Sequence, residues 1–314
     1  MKLREAVQQY IEWRRSYGAK FAGQALLLNI FLKSVDQETG CDDVTNAQVC
    51  AFLKGNRTLT SYRAKKYSAL AGFYRFAISR GYASRSPLPD NEPKSPTPAP
   101  PYVFSIDELH RLFAAIDVSR RTPLQLDTST FRVLLLLLYG TGLRRGEALN
   151  LTLADVDLSA AVLTVRDTKF YKTRLVPVGP QLAEALREYW ELRAERPLPE
   201  GDASTFLANR DGTGLHKDTV RHAFVRLLKA AGVDGADDTR RPPTLHSFRH
   251  SFAVHRLTSW YRQGADVQRL LPVLSTYLGH SQLAHTQVYL SMTPELLQQA
   301  SLRFERYVLG ENND

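Results

Sequence analysis

Apolar positions in the first part of the chain recur at three and four residues. Leu3, Val7, Tyr10 and Ile11 make one such stripe, and Ala25, Leu28, Leu32 and Val35 make a second. That period places apolar side chains on one face of an α-helix. Asp43-Val44-Thr45 and Thr60-Ser61 supply helix-opening residues, so two further helices are expected. No alternating strand pattern is visible, and the segment reads as a small helical bundle. Seven of the 16 prolines then crowd between Pro87 and Pro101. Proline fixes φ and lacks a donor, so this density predicts an extended linker.

Beyond the prolines, Ser105 and Glu108 form a capping box that opens a helix running to about Ile116. Phe131 to Tyr139 is apolar apart from Arg132, which predicts a largely buried helix, and Gly140-Thr141-Gly142 stops it. Residues 155–158, 161–165 and 174–178 are short, β-rich and separated by turns, as in a three-stranded antiparallel sheet. Residues 181–195, 217–231 and 246–261 are helical again, and helical character continues to about Val308. The expected fold is mainly α with a small antiparallel β-sheet. Its domains are a helical one over 1–86, a Pro-rich linker over 87–102 and a second domain over 103–314.

Composition narrows the function classes. The chain has 314 residues, 43% apolar and 23% charged, a folded profile. The longest aliphatic run, Val133 to Leu138, is too short to cross a bilayer, so no membrane partner is expected. The start, Met-Lys-Leu-Arg-Glu, shows no apolar h-region, so no signal peptide is expected. Cys41 and Cys50 are too few for a disulfide framework and their spacing is no metal motif. Reduced cysteines and a cytoplasmic location are the expectation.

Charge adds a partner class. Lys plus Arg number 41 against 32 Asp plus Glu, a net charge of +9. Up to Asp90 the chain carries 14 basic and 7 acidic residues. A basic domain joined to a nearly neutral remainder suits a polyanion, most often nucleic acid. Basic composition alone is equally common without such a partner.

Four segments carry candidate chemistry. In Thr141-Gly142-Leu143-Arg144-Arg145-Gly146-Glu147, Arg144 falls at a helix start, where a phosphate oxygen is well received. Glu147, three residues on, shares its face and is placed to hold the guanidinium. Lys169, Lys172 and Arg174 crowd a tight connection between two expected strands, within reach of a groove or a phosphate. His246, Arg249 and His250 open a helix, with positions 246 and 249 on one face. A His and an Arg one turn apart can grip a phosphate and move a proton. Zinc at His246 and His250 lacks both the Glu of a zinc-protease helix and a further ligand. Leu278-Gly279-His280 is followed nine residues later by Tyr289, whose hydroxyl can attack a phosphodiester. Taken singly, each segment has a commoner reading: a surface ion pair, a solvated basic turn, packing histidines, or one core tyrosine among 14.

Taken in order, the segments resemble the tyrosine recombinase (phage integrase) family. The pattern Thr-Gly-x-Arg-x-x-Glu is met by residues 141–147, and Lys-x-x-Lys-x-Arg-x-x-Pro by Lys169, Lys172, Arg174 and Pro177. His-x-x-Arg-His is met by 246, 249 and 250, and Leu-Gly-His with its later Tyr by 278–280 and 289. The motifs cover residues 103 to about 300, and the helical segment before them matches by layout. Tyr171 stands in the hairpin where small residues are common.

The resemblance implies a two-domain DNA clamp, with a core-DNA-binding domain and a catalytic domain, performing site-specific strand exchange. It implies Arg144, Lys169, His246, Arg249, His280 and Tyr289 as catalytic residues, with Glu147, Lys172, Arg174 and His250 in support. Tyr289 would be the nucleophile, Lys169 the general acid, His246 a general base or phosphate ligand, and His280 a donor to the phosphate. No cofactor and no metal are expected. The implied partners are double-stranded DNA, further copies of this chain in a tetrameric synapse or a dimer on one core site, and accessory recombinases or DNA-bending proteins. A C-terminal helix, with Leu296, Leu297, Ala300, Phe304, Tyr307 and Val308 on one face, is expected to make the subunit contact. Two rival readings are a type IB topoisomerase and an inactive DNA-binding regulator on the same scaffold.

Overall fold

A computed structural model describes residues 1–18, 20–54, 61–91, 99–118, 126–166, 173–233, 235, 241–291 and 294–308. The chain divides into two compact units, Met1–Pro98 and Ala99–Asp314.

The first unit is built from α1 (Leu3–Ser16), α2 (Ala22–Leu32), α3 (Asn46–Lys54) and α4 (Ser61–Ser79). The stripe Leu3, Val7, Tyr10 and Ile11 is buried, as are Ala25 and Leu28. They pack with Phe52, Leu70, Phe73 and Tyr74 from α3 and α4 into one core. Burying a large apolar side chain stabilises by about 1.5–3 kcal/mol, so the helical period is enough to assemble the unit. Part of the proline-rich stretch lies on this unit. Asn46 donates to the Pro87 carbonyl at 2.9 Å and the Tyr67 hydroxyl to the Pro89 carbonyl at 3.1 Å. Leu88 packs against the same core. Proline has no N–H but keeps a carbonyl acceptor, which is the group used here.

The second unit opens with α5 (Ile106–Val118). Its capping box is formed: Ser105 N–H donates to Glu108 and Glu108 N–H to Ser105 Oγ, at 2.7 and 3.1 Å. α6 (Thr128–Thr141) carries Leu134, Leu135, Leu137 and Leu138, all fully buried, as its aliphatic run from Val133 to Leu138 leads one to expect. After the short α7 (Arg145–Leu149) come β1 (Val156–Asp157), β2 (Val162–Val165) and β3 (Arg174–Pro177). They pair antiparallel in the order β1-β2-β3, with Val156 opposite Leu163 and Val165 opposite Arg174. Leu163, Val165 and Val176 point into the core while Leu175 points out. α8 (Pro180–Ala194) and α9 (Lys217–Ala230) follow. α10 (Leu245–Arg262) packs on α6. α11 (Val267–Leu278), α12 (Ala284–Gln287), a 3-10 turn (Val288–Ser291) and α13 (Pro294–Val308) complete the unit.

α13 packs on α10 and on the 3-10 turn of its own chain. Part of its apolar face is nonetheless open: Leu297, Phe304 and Val308 are 53%, 67% and 61% exposed. Both cysteines are free thiols. Among the described residues, no helix is long and apolar enough to cross a membrane.

Candidate active site

Two left-handed glycines shape the site. α6 ends at Gly142, φ +62°, where a Cβ would stand 2.6 Å from Phe252 and 2.8 Å from Leu278. α11 ends at Gly279, φ +70°, where a Cβ would stand 2.8 Å from the Arg174 guanidinium. Only glycine combines that backbone with so close an approach.

Just after the first glycine, Arg144 caps α7. Its backbone N–H donates to Glu147 Oε2 at 3.0 Å and its Nη1 to Oε1 at 2.8 Å. Nη2 donates to the Gly279 carbonyl at 3.1 Å, joining the two glycine turns. The Arg144 side chain stays 38% exposed, so its fork is fixed yet reachable.

Arg174 departs from the expected hairpin cation. It opens β3 with its side chain turned inward, only 12% exposed. Nη1 and Nη2 donate to Glu147 Oε1 and Oε2 at 3.1 and 2.8 Å, and Nε donates to the Tyr277 carbonyl at 3.0 Å. The paired strand β2 fixes the direction of its side chain. Burial alone would raise the Glu147 carboxyl. The Arg174 hydrogen bonds and charge, with the bonds from Arg144, outweigh it and hold the group down at about 2.

α10 delivers three more groups. Arg249 is 1% exposed, and its Nη1 and Nη2 donate to the carbonyls of Gly142 and Leu278 at 2.7 and 2.8 Å. Among the described residues it makes no ion pair. Burial and the nearby Arg144 push it down to about 10. A buried guanidinium bound to two carbonyl dipoles, with no carboxylate partner among the described residues, is suited to receive an anion. His250 lies half-buried beside it, its ring edge-on to His246 at 4.6 Å between centroids. His246 keeps an exposed edge; loss of water around the ring, then Arg249 and Arg144, hold it below the usual histidine range.

The 3-10 turn places Tyr289, 3% exposed, against both histidine-bearing elements. Its hydroxyl lies 3.2 Å from His250 Nδ1, and its ring lies nearly parallel to His280, 6.2 Å between centroids at 23°. Burial raises the phenol, and the charges of Arg249 and Arg144 only partly offset that. His280 Nδ1 meets the hydroxyl of the buried Thr286 at 2.7 Å. His250 and His280 are each driven down to about 3, first by burial and then by their basic neighbours.

Eight of the ten residues named from the sequence thus converge: Arg144, Glu147, Arg174, His246, Arg249, His250, His280 and Tyr289. Lys169 and Lys172, with Tyr171, lie outside the described residues. His255, further along α10, has Nδ1 3.0 Å from the Tyr139 hydroxyl. Sequence reasoning missed Thr286, six residues beyond His280 with no local signal. It also missed the carbonyls that hold Arg249.

Comparison with known proteins agrees with this arrangement. The phage integrase family model matches residues 103–295. The integrase/recombinase y4rB of Sinorhizobium fredii is 36% identical over 96% of this chain and 97% of its own. Tyrosine recombinase XerD of Corynebacterium glutamicum is 32% identical over 82% and 81%. Among solved structures, a lambda integrase tetramer bound to a Holliday junction superposes with a TM-score of 0.66 at 20% identity, over 91% of this chain and 77% of that one. XerH bound to a palindromic difH substrate, a post-cleavage complex, gives 0.63 at 20% identity over 91% and 79%. The structural likenesses establish the fold, and the family model and the sequence relatives establish descent: the chain belongs to the phage integrase family, the tyrosine recombinases, enzymes that cut and rejoin DNA strands.

Proposed function

We propose that this chain exchanges strands at specific sites on double-stranded DNA through a covalent bond between Tyr289 and a 3′-phosphate. The observation that carries the reading is the Tyr289 hydroxyl, held 3.2 Å from His250 Nδ1 beside the buried Arg249, which makes no ion pair among the described residues. In the forward step the phenol oxygen bonds to phosphorus and the bond from phosphorus to the 5′-oxygen breaks. Charge builds on the non-bridging oxygens, where the forks of Arg144 and Arg249 are suited to it. The phenol proton passes to a neutral imidazole, with His250 in place beside it and His246 next to His250. Lys169 protonates the departing 5′-oxygen. The phosphotyrosyl bond keeps the energy of the original diester, so religation needs no nucleotide.

An arriving phosphate also changes the histidines. Their depressed proton affinity comes partly from the nearby arginines, Arg249 foremost, and a phosphate adds negative charge beside them. We assign the reaction to the cytoplasm and to a synapse of four copies, with the exposed face of α13 meeting a neighbouring subunit. Because α13 packs on the turn that carries Tyr289, such a contact would govern how the buried hydroxyl is presented.

A suicide substrate nicked beside the cleavage position tests the reading. Wild type should become covalently attached and Tyr289→Phe should bind without attachment. Trapping of the Tyr289→Phe protein would overturn the assignment. Site-independent relaxation of supercoiled DNA would favour the topoisomerase reading, and no attachment by wild type the inactive regulator.

A further inference from the structure

Thr286 is fully buried and lies on α12, three residues before Tyr289. Its backbone N–H donates to the Leu283 carbonyl at 2.8 Å, and its β-branched side chain has little rotamer freedom. Among the described residues, its hydroxyl has one partner, His280 Nδ1 at 2.7 Å. A hydroxyl carries one proton and must donate it somewhere when water is excluded. If Nδ1 held the imidazole proton it would donate to the threonine oxygen, and the threonine proton would be stranded. The arrangement is satisfied when Thr286 donates to Nδ1, which places the ring proton on Nε2.

The surroundings leave the tautomer as the open question. The groups that act on His280 are Arg249, Arg144, His285 and His246, all basic. Together with burial they keep the ring neutral, so what it offers an incoming phosphate depends on which nitrogen holds the proton. With Nε2 protonated, that nitrogen is a donor. With Nδ1 protonated, Nε2 would present a lone pair to an anion. We propose that Thr286 is a positioning residue that locks His280 as the Nε2–H tautomer and so makes it a phosphate donor. This rests on the reading of Tyr289 as the nucleophile. It extends that reading by tying the donor to the short segment that carries the nucleophile, because the hydrogen bond spans both.

Three variants and one spectrum test it. Thr286→Val keeps the shape and removes the hydroxyl, Thr286→Ser keeps the hydroxyl, and His280→Asn identifies the ring signals. Histidine-labelled full-length protein, examined by long-range nitrogen–proton NMR, reports the tautomer directly. Wild type and Thr286→Ser should show the Nε2–H form, and Thr286→Val a mixture of both. At saturating nicked DNA, Thr286→Val should attach roughly 10- to 100-fold more slowly, as when the partner orienting a functional histidine is removed, with DNA binding unchanged and Thr286→Ser near wild type. A wild-type ring protonated on Nδ1 overturns the proposal whatever the variants do. So does a Thr286→Val protein that keeps both the tautomer and the rate. Covalent trapping of Tyr289→Phe would instead defeat the nucleophile assignment, and the tautomer measurement would stand apart from it.

Discussion

Arg174 closes both of its terminal nitrogens on the two carboxylate oxygens of Glu147, at 3.1 and 2.8 Å, across 27 residues of sequence. The same carboxylate accepts from the backbone and side chain of Arg144. Glu147 is therefore the anion that lets two arginines stand side by side. Removing it leaves two partly buried cations facing each other. We expect Glu147→Ala to lose about 3–5 kcal/mol of stability, measured by urea unfolding of the full chain. A loss within the range of an exposed surface pair would contradict that role.

The glycine turns make a sharper backbone prediction. Gly142→Ala combines a left-handed backbone with a Cβ pressed against Phe252 and Leu278, and should cost about 3 kcal/mol. Gly146 has nothing within 4 Å of its would-be Cβ and sits inside α7. Gly146→Ala should be neutral or stabilise by up to about 1 kcal/mol. Equal effects at the two positions would show that the packing around Gly142 is not as described.

Stability should fall with acid in two stages. In the unfolded chain the imidazoles bind a proton near 6.5, while in the folded chain His250 and His280 resist until about 3. Between those values the unfolded state holds more protons, so stability declines as pH drops from 6.5 toward 3. Glu147 adds a second loss between 4.5, its unfolded value, and about 2. Melting temperature without DNA should decrease from about pH 7 to about pH 5, and the His250→Gln/His280→Gln pair should flatten that slope. An unchanged slope would show that these rings are not proton-poor in the folded state.

For the leaving group, Lys169→Ala should cleave roughly 100- to 10,000-fold more slowly. A 5′-bridging phosphorothioate, whose sulfur departs without a proton, should restore much of the rate. Absence of selective rescue would shift the role to Lys172 or leave the hairpin a purely structural part.

At the C-terminus, Phe304→Asp and Val308→Asp alter exposed positions of α13 and should leave folding and single-site binding intact. Gel-shift titration should show weaker cooperative loading of paired sites, and recombination should fail. Normal assembly and recombination would remove α13 from the subunit contact.

The sequence by itself determined everything that depends on near neighbours. Helical stripes, the Ser105–Glu108 capping box, the leucine-rich α6 and the antiparallel run from β1 to β3 follow from periods and short hydrogen bonds within a few residues. The motif spacing likewise singled out Arg144, Arg249, His280 and Tyr289 before any geometry was known. What only the tertiary structure decided is where each group points and what it touches. Arg174 read as a surface cation because a charge run carries no sign of an anion 27 residues away. Arg249 is held by carbonyls 107 and 29 residues distant, and backbone acceptors have no signature in the choice of side chain. His250 gained its place beside the Tyr289 hydroxyl across 39 residues. Thr286, only six residues from His280, was equally silent, because the bond between them exists only once Gly279 turns the chain and burial leaves the hydroxyl no water to choose instead.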